Sequence, residues 1–128
     1  MILSSISEEE KLEEILYQLA ETIESELYCF VYLESSDCCF IPYALHEDIV
    51  GEININGSLS NFDRLVALTH EVGHVLDHST SSNPVQLELN AWHLGYKYML
   101  MESIIINSEE YFDQMYRCLS QYIEKERK

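Results

Sequence analysis

Leu12, Ile15, Leu16, Leu19, Ile23 and Leu27 recur three and four positions apart, which predicts one apolar stripe on a helix running through about residue 28. Ser7-Glu8-Glu9-Glu10 stands in front of it, a serine followed three positions later by glutamate, the pattern of a capping box. The period then changes. Three β-prone runs follow, Tyr28 to Leu33, Cys38 to Tyr43 and Asp48 to Asn56, divided by Glu34-Ser35-Ser36-Asp37 and by Leu45-His46-Glu47. Links this short favour an antiparallel arrangement.

Asn56-Gly57-Ser58-Leu59-Ser60-Asn61 is a loop with a helix N-cap at its end, and the next helix spans about 61–78. Ser79 to Pro84 is a second loop, whose asparagine and proline open a helix over about 84–102. Ser108-Glu109-Glu110 caps a last helix, with Tyr111, Phe112, Met115, Tyr116, Leu119, Tyr122 and Ile123 as a core-packing stripe. No repeat, low-complexity tract or long linker divides the chain, so residues 1–128 read as one domain. The order predicts an α+β fold: a small antiparallel three-stranded sheet packed on an N-terminal helix, a central helix and two C-terminal helices.

Composition adds limits. At 128 residues and 47% hydrophobic content the chain is long enough for a real core and too apolar for disorder. The N-terminus lacks the basic region of a secretory signal, and no apolar run approaches the roughly 20 residues of a membrane span. Cys29, Cys38, Cys39 and Cys118 lack metal-ligand spacing and suit free thiols better than a disulfide framework, so a cytoplasmic location is expected. The net charge of −16 disfavours direct binding to nucleic acid or anionic membrane and favours a basic partner.

The candidate chemistry lies in the helix predicted over about 61–78, in Thr69-His70-Glu71-Val72-Gly73-His74, which contains His-Glu-x-x-His. On a helix, His70 and His74 project from nearly one face about a turn apart, so two imidazoles can converge on one Zn²⁺. Glu71, beside the first of them, is the candidate general base for a metal-activated water. A catalytic zinc site needs a third protein ligand, and Asp77, His78, Glu88 and His93 are the candidates. His78 lies about 12 Å along the axis from His70 if the helix is straight, too far to share an ion with it, and Asp77 has the same difficulty in weaker form. Glu88 and His93 are about 140° apart on the next helix, so only one faces the metal. Glu88 needs only an antiparallel return across Ser79–Pro84 and is the favoured ligand.

Ile53-Asn54-Ile55-Asn56, a serine-containing loop, and Arg64-Leu65-Val66-Ala67-Leu68-Thr69-His70-Glu71-Val72-Gly73-His74-Val75-Leu76-Asp77-His78 together resemble the ImmA/IrrE-type metallopeptidases of bacteria, phages and mobile elements. The resemblance covers roughly residues 50–100. It implies a zincin-like fold and a zinc peptidase directed at a protein substrate such as a transcriptional repressor. It also implies a glutamate ligand followed three positions on by a small residue, a pattern that falls on Glu88 and Ala91. The family's supporting Asn or Asp four positions after that glutamate is Trp92 in this chain, leaving Asn90 or Asp77 as substitutes. By the same resemblance, substrate adds as an extended strand alongside Asp48–Asn56. No DNA-binding appendage is evident, so a repressor substrate would be a separate protein.

The predicted machinery is therefore one Zn²⁺ on His70, His74 and Glu88, with Glu71 as base. An oxyanion donor is not identifiable: Tyr96, Tyr98 and His93 suit packing or surface roles better, and Tyr43 and His46 fall in a turn near the sheet. The alternative reading is an acidic, non-enzymatic protein that binds a basic partner or mimics nucleic acid, with zinc structural or absent. A structural site, however, would not require Glu71 and would more often be closed by cysteines.

Overall fold

The computed structural model describes residues 1–126 and is α+β, with four helices and two small sheets among them. In chain order the elements are β1 (Ile2–Leu3), α1 (Glu9–Leu27), β2 (Cys29–Ser35), β3 (Cys39–Pro42), β4 (Gly51–Asn56), α2 (Asn61–Leu76), α3 (Pro84–Met101), β5 (Ile105–Ile106) and α4 (Ser108–Glu126). No helix among the described residues is long and apolar enough to cross a membrane. All four cysteines are free, Cys29 buried and the others half-buried.

Helix α1 buries Leu12, Leu16, Leu19, Ala20 and Ile23, as its periodicity predicts. Its start differs from the expected capping box. The Ser7 hydroxyl accepts the Ser4 backbone N–H at 2.9 Å, and Glu8 occupies the N-cap position without a side-chain cap. Glu9 and Glu10 still place negative charge on the first turn, where the helix dipole favours it. At the other end Tyr28 adopts a left-handed conformation, φ 54°, which turns the chain directly into β2 at a cost of roughly 1–2 kcal/mol.

The expected antiparallel sheet is mixed instead. The strand order is β2-β4-β3, with β2 parallel and β3 antiparallel to β4. Residues 36–38 carry the chain across two strand spacings, which three residues can span because each reaches up to ~3.3–3.6 Å and strands lie ~4.8 Å apart. The turn after β3 then returns β4 into the gap. Gly51, Ile53 and Ile55 point into the core, while Glu52, Asn54 and Asn56 point away. Strand β4, expected to take substrate along its edge, is therefore central, and β3 and β2 are the edges.

The inner face of the sheet packs on α1 and α2, and one contiguous core continues through α3 to Tyr111, Met115 and Leu119 of α4. Helix α4 departs from its sequence pattern at two points. Asn107, not Ser108, caps it, its Oδ1 accepting the Glu110 N–H at 2.9 Å, and Tyr116 and Ile123 are exposed rather than core. Ile2 pairs with Ile105 and Leu3 with Ile106, which ties the N-terminus beside the α3–α4 link, a long-range pairing that no local pattern signals.

Candidate metal centre

Helix α2 carries the first two candidate ligands and is held at both ends. The Ser60 Oγ accepts the Asp63 N–H at 3.1 Å, closing the N-terminus. One turn in, the buried Arg64 donates to the Leu33 carbonyl at 3.2 Å and to Glu34 at 2.9 Å, with its other arm on Asn61. That clamp anchors α2 to the end of β2. Two turns further, His70 and His74 share a face, their ring centroids 4.8 Å apart.

The return to α3 is set by local chemistry as well. The Asp77 Oδ1 accepts the Ser79 N–H at 2.9 Å, and Asn83 caps α3 by accepting from Val85 and Gln86 at 3.0 and 3.2 Å. Pro84, with no N–H to leave unpaired, occupies the first turn. The two helices then approach closely at paired small residues. A Cβ on Gly73 would lie 1.7 Å from the Ala91 carbonyl oxygen, and one on Gly95 would lie 1.9 Å from that of Thr69. This contact lets Glu88, three residues before Ala91, reach both histidines.

The Glu88 Oε2 lies 2.6 Å from the Nε2 of His70 and 3.3 Å from the Nε2 of His74. All three donor atoms fall within 4.8 Å of one another, and the three residues could hold a metal ion. A tetrahedral ion with bonds of roughly 2.0–2.1 Å holds its ligands about 3.3 Å apart, so this N, N, O set fits a small divalent cation with little rearrangement. Glu71 is buried beside the set, its Oε2 3.7 Å from the Nδ1 of His70. The group lines an open cleft of about 380 Å³ whose other wall is Cys38, Cys39 and Phe40 of β3 and its approach.

Two further side chains support the set. The indole of Trp92 stacks on the His70 imidazole, 4.3 Å between centroids and 13° between planes, and Tyr111 donates to the Trp92 carbonyl at 2.6 Å. Where the resemblance led one to expect a polar partner, a flat aromatic surface fixes the ring instead. From α4, the Tyr122 hydroxyl donates to the Glu88 Oε1 at 3.0 Å and leaves Oε2 turned to the histidines. The apolar stripe of α4 predicts core packing for Tyr122. Only its position in an apolar stripe was visible in the sequence, and nothing there aims it at residue 88.

Electrostatics follow from burial and pairing. Burial works to raise the pKa of Glu88, but hydrogen bonds and charge from His70 and His74 outweigh it and hold the carboxyl far below its usual range. Burial works to lower that of His74, and Glu88, Glu71 and Asp77 reverse it and raise it. Glu71 is raised above 4.5 chiefly by desolvation. Tyr122 is pushed up to about 12 by burial and the Glu88 charge.

The remaining candidates separate cleanly. His78 and His93 are exposed, the latter against the Phe112 ring at 5.6 Å. Tyr96 donates to the Ile106 carbonyl at 3.4 Å and Tyr98 to Glu26 at 2.7 Å, both away from the cleft. His46 accepts the Asp48 and Ile49 N–H groups within its own turn. Asn90 engages Gln86 at 2.7 Å, whereas Asp77 contributes charge toward His74. The chain matches no protein-family model, no curated protein and no solved structure.

Proposed function

We propose that this chain is a zinc metallopeptidase of the zincin-like kind, similar to the ImmA/IrrE-type enzymes, with narrow specificity for a protein substrate such as a basic DNA-binding repressor. The observation that carries this reading is the convergence of Glu88 Oε2 on the Nε2 atoms of His70 and His74, at 2.6 and 3.3 Å, with Glu71 buried in the same cleft. Two imidazoles and one carboxylate are the donor set of a catalytic rather than a structural zinc site, and they suit zinc better than the oxygen-seeking magnesium or calcium. Bound there, zinc supplies a Lewis acid that polarises a carbonyl and brings the pKa of water to about 7.

The chain's own groups would do the rest. Glu71, its pKa raised by burial, is suited to take the proton of the attacking water and deliver it to the leaving amine. Trp92 and Tyr122 keep His70 and Glu88 in orientation so that the donors need not reorganise. An extended substrate would add along β3, the edge that borders the cleft. The opposite edge is already occupied: Glu24 accepts the Val31 N–H at 3.0 Å and Arg64 donates to the Leu33 carbonyl at 3.2 Å.

The test is metal analysis of the native protein together with a cleavage screen on proteome-derived peptides, in wild type, Glu71→Gln and Glu88→Ala. The expected result is about one zinc per chain in wild type and Glu71→Gln, loss of zinc in Glu88→Ala, and cleavage in wild type alone. A metal-free native protein, or cleavage undiminished in Glu71→Gln, refutes the proposal.

A further inference from the structure

Among the described residues no helix covers the outer face of the three-stranded sheet, since α1 and α2 both pack on the inner face. Cross-strand register places Phe30 of β2, Glu52 of β4 and Ile41 of β3 in one row, with Tyr32, Asn54 and Cys39 in the next. Phe30 lies between Tyr32 and Tyr43, with ring centroids 6.3 and 6.4 Å from its own. Phe30, Tyr32 and Ile41 are each 40% exposed or more. In the middle of this aromatic surface stands a carboxylate.

That carboxylate is fixed. The Tyr43 hydroxyl donates to Glu52 Oε1 at 2.6 Å, the Asn54 amide donates to Oε2 at 2.7 Å, and the Ser35 hydroxyl donates to the Asn54 Oδ1 at 2.9 Å. Each carboxylate oxygen keeps a second acceptor position. The two hydrogen bonds also lower the Glu52 pKa, so the charge persists at neutral pH. No cation among the described residues pairs with it. Between Lys11 and Arg64 the sequence has no lysine or arginine, Arg64 is buried against β2, and no ion pair to Glu52 exists among the described residues.

We infer that this face is a docking surface for an arginine-bearing segment of a basic protein partner, with Glu52 taking the guanidinium and Phe30, Tyr32 and Tyr43 flanking it. A planar guanidinium can donate to both carboxylate oxygens and lie against the π-faces at the same time. The chain's charge of −16 draws such a partner in and opposes a second copy, which would set this acidic face against its own kind. Strand β3 belongs to both surfaces, with Ile41 on the outer face and Phe40 lining the cleft. The inference stands whether or not the cleft is catalytic.

The experiment is an NMR titration of the full ¹⁵N-labelled chain with a blocked peptide of alternating arginine and glycine. The same peptide with citrulline, isosteric and uncharged, is the comparison. The expected result is saturable shifts centred on Phe30, Tyr32, Glu52 and Asn54, with at least tenfold weaker binding of the citrulline peptide. Glu52→Gln should weaken the arginine peptide about tenfold and Phe30→Ala severalfold, while Glu109→Gln, which removes one exposed charge on α4, should change it less than twofold. Equal weakening by Glu52→Gln and Glu109→Gln would reduce the effect to diffuse charge and overturn the inference. Equal binding of the citrulline peptide, or concentration-dependent shifts on this face without peptide, would overturn it too, the last by showing that a second copy covers the face.

Discussion

Gly73→Ala is the substitution that most directly asks whether helix approach sets the proposed third ligand, Glu88. The added Cβ would stand 1.7 Å from the Ala91 carbonyl oxygen and 2.4 and 2.7 Å from that residue's C and Cα. Cβ contacts under 3.0 Å are essentially never seen, and every atom met is backbone, so no side chain can turn aside. The helices must therefore part by about 1.3 Å, the difference between 3.0 and 1.7 Å. Glu88 lies three residues before Ala91, about 4.5 Å along the axis, so most of that shift reaches it. Zinc sites tolerate bond errors of only about 0.2 Å, so at the proposed zinc site Glu88 would leave the ligand set or bind with strain. The overpacking itself should cost about 1–3 kcal/mol. The assay is thermal or urea unfolding of chelator-treated protein with and without zinc, at a zinc concentration one hundred times the wild-type Kd. Wild type should gain about 2.7 kcal/mol from zinc, whereas a hundredfold weaker site gains only about 0.4 kcal/mol. Leu16→Ala, in the buried stripe of α1, is the matched control: it should lose about 2–5 kcal/mol and still keep the full zinc increment. A Gly73→Ala protein with an undiminished zinc increment would refute the reasoning.

Other outcomes follow from the same structure. Tyr122→Phe removes the donor that holds Glu88 Oε1 and should weaken zinc about tenfold in a chelator competition, with little change in metal-free stability; equal zinc affinity would show that Tyr122 merely packs. Arg64→Met leaves the Leu33 carbonyl without its buried donor and unties α2 from β2, so the urea midpoint should fall by an amount equivalent to about 1–3 kcal/mol at unchanged slope. Glu102 titrates above its ordinary 4.5 because it shares a hydrogen bond with Glu26, so the folded chain retains a proton that the unfolded chain has lost. Stability contributed by that proton is complete below pH 4.5 and disappears as pH rises through the folded pKa. Glu102→Gln, which keeps a donor for Glu26, should raise the melting temperature at pH 7 and leave it nearly unchanged at pH 4, as differential scanning calorimetry would record.

What could be read along the chain was local. Helices α1 and α4 follow from 3.6-residue periodicity, and α2 and α3 from the N-cap that ends the Asn56–Asn61 loop and from Asn83-Pro84, because a helix forms within its own segment. The pairing of His70 with His74 is legible for the same reason, being a property of four-residue spacing. Glu88 was within reach because a short loop leaves α3 little choice but to return along α2. Strand order was not legible, because β2, β3 and β4 each alternate correctly whichever neighbours they take; only the three-residue crossing and the return of β4 decide the pairing. The Ser7 box failed because the helix begins one residue later, with Glu8 at the N-cap position, and the Ser7 hydroxyl accepts the Ser4 N–H instead. Trp92 on His70, Tyr122 on Glu88 and the aromatic face around Glu52 all join residues from different elements. Segment-level pattern determined which side chains could bind a metal. The close packing of α2 on α3, permitted by Gly73 and Gly95, and the docking of α4 over them decided which oxygen meets which nitrogen, because those distances depend on how whole elements pack and not on the spacing within any one of them.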